Sequence, residues 1–168
     1  MLREDGNELS LSLYLHSDIV EKMLVDDPMP RLYEGNLEYF CLALEGVSYF
    51  IYLIWNASFD RSVILLEMEL QAEIDKFVML GVFLEKQNKR LRLRQLRKLL
   101  FETAGFHRQL SETEKQRYQD ASHLAEKYCF IIESDDLANR SRQEMLFKLR
   151  RFYRLTQSDK LSRINFLH

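Results

Sequence analysis

After Pro30 the chain runs through 138 residues without a proline, and only five glycines are spread over its 168 positions. A fold of short strands needs a turn signal about every 8–12 residues. This sequence lacks the residues for it, so an all-α fold is expected. Helices of ordinary length make that a compact bundle of about five to six helices. At 168 residues the chain is most simply one domain, with 1–30 as an N-terminal arm and short helix and 31–168 as the helical core. A hydrophobic content of 46% beside 30% charged residues is that of a folded chain rather than a disordered one.

The N-terminal stretch departs from the helical pattern. Leucines at 9, 11, 13 and 15 alternate with other residues through ELSLSLYLH, which reads as a short strand or an extended arm. Ser17 or Asp18 can cap a short helix ending before Asp26. Pro28-Met29-Pro30 is an extended connector. The opening MLREDGNE has no apolar run, so no secretory signal is expected there.

From Asn36 to Asn56 the sequence is apolar on nearly all sides. Leu37, Phe40, Cys41, Leu44, Ser48, Ile51 and Trp55 share one helical face, and Tyr39, Leu42, Phe50 and Leu53 the opposite one. A central, buried helix is expected, with a hairpin turning at Glu45-Gly46 as the rival. The longest uncharged run, Gly46 to Phe59, has 14 residues. A membrane span needs ~20, so no transmembrane segment is expected.

Arg61 to Lys98 changes character half-way. Val63, Leu66, Leu70, Ile74, Phe77, Gly81 and Leu84 form one apolar stripe, and Ile64, Met68, Met79 and Val82 a second arc. The stripe fails near Gln87 to Lys89, where a break is expected before the basic KQNKRLRLRQLRK. Gly105 is suited to end this unit. Ser111 and Glu114 form a capping box for a helix whose stripe is Tyr118, Ala121, Ala125, Tyr128 and Ile132. Ser134 is expected to restart another, with Met145, Leu149, Phe152 and Tyr153 facing the core.

The formal net charge of −2 hides a division. Residues 1–84 hold 5 Lys/Arg and 15 Asp/Glu, a net of −10; residues 85–168 hold 19 and 11, a net of +8. Two readings follow: the halves face each other, within a chain or across a dimer, or the basic half meets a polyanion. The densest basic surface is a helical face of Lys86, Arg90, Arg94, Arg97 and Lys98, spanning about 120° with leucines opposite. It is the candidate interaction face, with Arg150, Arg151 and Arg154 as further phosphate-binding candidates.

Signals for chemistry are thin. Asp120, His123 and Glu126 put three possible metal ligands on one helix face, and Glu67 and Glu73 are available elsewhere. A di-metal carboxylate bundle needs a second such motif, which the chain lacks. Arg117 with His123, and Arg163 with His168, match a loose Arg-x(4–6)-His spacing seen in helical ribonucleases. With 15 Arg and 4 His, about one such pair arises by chance, so the spacing carries no weight. No phosphate-binding glycine loop, nucleophile elbow or paired-cysteine motif occurs, and nothing calls for a cofactor. Cys41 and Cys129 sit among apolar residues and read as free thiols of a reducing, cytoplasmic setting.

The function these patterns favour is a non-enzymatic interaction protein, a small regulator or adaptor that binds a protein partner or a second copy of itself. The alternative is nucleic-acid binding through the basic helix 86–98. A helical nuclease or metal-dependent enzyme comes third.

Overall fold

Among the described residues, seven helices follow a two-stranded antiparallel sheet. The computed structural model describes residues 2–5, 8–87, 93–102, 110–139 and 142–166. The elements are β1 (Leu2–Asp5), β2 (Glu8–Leu11), α1 (Ser17–Val25), α2 (Glu34–Ala57), α3 (Leu65–Lys86), α4 (Leu93–Glu102), α5 (Glu112–Asn139), α6 (Arg142–Tyr153) and α7 (Gln157–Asn165). The fold is all-α, with one helix more than the upper expectation. The chain divides into two compact units, Met1–Arg90 and Leu91–His168.

In the first unit, β1 and β2 pair antiparallel, Leu2 opposite Leu11 and Asp5 opposite Glu8. The alternation therefore makes a strand only as far as Leu11. Leu13 and Leu15 instead approach Gly46 of α2, where an added Cβ would meet Leu15 at 3.1 Å. Glycine allows that close approach. The helix α1 is capped by His16, whose Nδ1 accepts from the Asp18 N–H at 3.3 Å, not by Ser17 or Asp18.

The helix α2 takes the predicted stretch, and no hairpin forms at Glu45-Gly46. It is not buried all round. Its inward residues are Asn36, Phe40, Ala43, Ser48, Tyr52 and Asn56, whereas Ile51 is 54% exposed. The inward stripe thus runs through polar residues that hydropathy alone places outside. Among the described residues α2 is the one helix long and apolar enough to cross a membrane by length and composition. Its inward face is nevertheless a polar seam against α3. Tyr52 donates a short hydrogen bond to the buried Glu67, and Ser48 donates to Asp75 at 2.5 Å. Glu45 lies 3.9 Å from Lys76, which also pairs with Glu73 at 2.6 Å. Burial works against the Lys76 charge, but Glu73 and then Glu45 outweigh it and hold its pKa above the ordinary lysine value.

The stripe of α3 is confirmed at its centre, where Leu70, Ile74 and Phe77 are buried, while Ile64 and Met79 on the second arc are exposed. The helix ends at Lys86, at the expected break. Gln87 then explains why the apolar pattern stops. Its amide donates to the carbonyls of Pro28 at 2.9 Å and Met29 at 3.0 Å and accepts from the Leu32 N–H at 2.8 Å. Asn36 works from the other side, donating to the Arg31 carbonyl at 2.9 Å. Two side-chain amides therefore satisfy the backbone of a proline connector that cannot satisfy its own.

In the second unit, α4 lies against α5, and α5 carries α6 and α7. The capping box forms as expected: the Ser111 N–H donates to Glu114 at 2.9 Å, and Ser111 Oγ accepts from the Glu114 N–H at 3.4 Å. Ala121, Ala125, Tyr128, Cys129 and Ile132 of α5 are buried. Ser134 does not restart a helix. Its hydroxyl donates to the Phe130 carbonyl one turn back, at 2.9 Å, and α5 continues to Asn139. Thr156 caps α7, accepting from the Asp159 N–H at 3.3 Å. Gly105 lies outside the described residues.

Candidate interaction cleft

The basic candidates part company. Lys86 is exposed at the end of α3 in the first unit, while Arg94 and Lys98 are exposed on α4 in the second. Arg90 lies outside the described residues. Arg97 turns inward. Its Nε donates to Glu133 at 2.9 Å, its Nη1 to Glu126 at 2.8 Å, and its guanidinium lies 5.3 Å from the centre of the Phe130 ring. The Arg97 side chain is 11% exposed and that of Glu133 5%. This arginine clamps α4 to α5 and has little left to offer a ligand.

The same clamp disposes of the metal candidate. Glu126 is held by Arg97, and Asp120 accepts from the Gln116 amide at 2.9 Å. Glu73 is occupied by Lys76, and Glu67 by Tyr52. Among the described residues no three His, Cys, Asp or Glu side chains gather as a metal site would require. His123 is exposed, and His107 and His168 fall outside the described residues.

A different set of residues gathers in the second unit. A cleft of about 570 Å³ opens between α5, α6 and α7. Its floor is Tyr128, Ile131 and Ile132 of α5 with Met145 and Phe152 of α6. Phe152 stacks on Tyr128 with ring centroids 3.8 Å apart, and both rings are buried. Leu155, in the turn between α6 and α7, also lines it. Phe147 and Phe166 stand on the rim, 65% and 87% exposed. Thr156 caps a new helix shortly after α6 ends, and α6 and α7 both pack on α5, which leaves the cleft between the three.

Five charged side chains border this apolar floor, and their partners decide its character. Lys148 pairs with Glu144 one turn back, at 3.5 Å. Asp159 accepts from the Thr156 hydroxyl at 2.7 Å within the cap of α7. Arg151 and Arg163 have no ion-pair or hydrogen-bond partner among the described residues. The border thus has two guanidinium groups, from two helices, that form no ion pair with either of its carboxylates, and three cationic side chains against two anionic ones. The sequence singled out Arg151 only as part of a basic run, and Arg163 only in a spacing that carried no weight. Their meeting depends on the α6–α7 turn, for which the Thr156-to-Asp159 cap was the available signal.

Compared with protein-family models, curated proteins and solved structures, the chain matches none.

Proposed function

We propose that the protein is a non-enzymatic interaction module and that its second unit receives a protein partner in the cleft of α5, α6 and α7. The observation that carries this reading is the cleft itself: an apolar floor and two highly exposed rim phenylalanines. Large apolar side chains exposed together are a common mark of a surface that another chain covers. Cys41 and Cys129 are both free, which supports a reducing compartment and hence a cytoplasmic setting.

The test is a selection of displayed random peptides on the full chain, counter-selected on a Phe147→Glu/Phe166→Glu variant. Both positions are exposed, so the variant keeps its fold. The reading expects peptides that bind the parent chain and lose binding on the variant. No enriched peptide, or enrichment indifferent to both phenylalanines, overturns it.

Nucleic-acid binding is the second reading. It is supported by the charge of the second unit, where 16 Lys/Arg stand against 10 Asp/Glu, a net of +6. Duplex and single-stranded probes at two salt concentrations decide it, each lost phosphate contact flattening the log–log salt slope by about 0.7–0.9.

A further inference from the structure

We infer that the partner segment of this cleft is an acidic amphipathic helix, with apolar residues seated on the floor and carboxylates on Arg151 and Arg163. This rests on the cleft being the binding site and adds the chemistry of its occupant. The argument is one of charge complementarity. Glu144 is paired with Lys148, and Asp159 is held in the cap of α7 by the Thr156 hydroxyl, so neither forms an ion pair with the two arginines and the border keeps a net positive charge of one. A guanidinium beside apolar surface is best matched by a carboxylate, which it holds through paired N–H donors. The two arginines come from different helices that border one cleft, so a single ligand meets both. Phe147 and Phe166, 65% and 87% exposed, add apolar surface beside the floor, which suits the apolar face of a helix. The occupant therefore carries apolar residues at helical spacing, one face wide, flanked by Asp or Glu.

The experiment sequences the peptides enriched on the full chain, using random peptides of about 16 residues, long enough for four helical turns. A labelled copy of the most enriched one is then titrated by fluorescence anisotropy. The expected enrichment is in apolar residues three and four apart, with Asp and Glu exceeding Lys and Arg. Arg151→Gln with Arg163→Gln should weaken the chosen peptide on the order of tenfold, as expected when paired charges are removed. Arg151→Glu with Arg163→Glu should then prefer the same peptide with its acids changed to Lys. Unchanged circular dichroism of each variant shows that the fold is kept. Peptides that need Phe147 and Phe166, show no acidic preference and ignore both arginines overturn this inference and leave the binding reading standing. Displacement of the peptide by laurate at equal concentration overturns it in favour of a free amphiphilic carboxylate. Loss of the peptide to a single-stranded oligonucleotide overturns it in favour of a nucleic acid.

Discussion

Arg97 and Arg163 are the same residue type in the same unit, and they meet opposite surroundings. At the junction of α4 and α5, Arg97 is enclosed by Glu126, Glu133 and the Phe130 ring. Beside the cleft, Arg151 and Arg163 border apolar side chains and pair with no carboxylate among the described residues. A clamp of the first kind sets how two helices pack, because removing one partner strands a charge that burial has cut off from water. A pair of the second kind does nothing for the fold that water cannot do. The contrast separates charge spent on architecture from charge left for a partner. The acidic and basic division follows the two units: the first holds 8 Lys/Arg and 16 Asp/Glu, a net of −8, and the second a net of +6.

Breaking the clamp should have the largest effect. Arg97→Gln leaves the buried Glu133 without its partner and should cost about 3–5 kcal/mol in urea unfolding. Leu70→Ala in the first unit, where the side chain is 2% exposed, should cost ~2–5 kcal/mol and gives an apolar yardstick for the same measurement. Arg151→Gln and Arg163→Gln should each stay within about 0.5 kcal/mol of the parent chain, as surface changes do. A larger loss at either would move that arginine from the binding side of the comparison to the architectural side.

The smallest effect concerns the cap of α5. Hydrogen bonds from the Ser111 hydroxyl and N–H hold the exposed Glu114 carboxyl below its ordinary value of 4.5. A depressed folded pKa contributes stability above the unfolded value and loses it as pH falls through the folded one. Fraying of the first turn of α5 should therefore begin only below pH 4.5, and Ser111→Ala should move that onset upward. A carboxyl titration followed by NMR in both chains checks it.

The patterns legible in the sequence were the local ones. The capping box of Ser111 and Glu114, the break at Gln87 and the core stripe of Leu70, Ile74 and Phe77 all depend on neighbours three or four residues apart. What escaped depends on distant partners. A helical wheel sets Arg97 beside Arg90 and Arg94, but Glu133, which turns it inward, is 36 positions away on α5. Spacing places Ser48 on an apolar face of α2 but does not give its partner: Asp75 of α3, 27 positions away, takes its hydroxyl. Ser134 has the residue type of a cap, yet its hydroxyl found the Phe130 carbonyl and the helix ran on.

The most direct test of the contrast is the solvent exchange of arginine Nε–H protons, read by NMR in one sample of the full chain. The Arg97 Nε–H is bonded to Glu133 at 2.9 Å in a nearly enclosed site, so its exchange should be slow and its resonance resolved. The Nε–H protons of Arg151 and Arg163 should exchange as fast as those of free arginine, and slow when an acidic peptide binds. Equal exchange at all three positions in the unbound chain would contradict the division between an architectural and an available arginine.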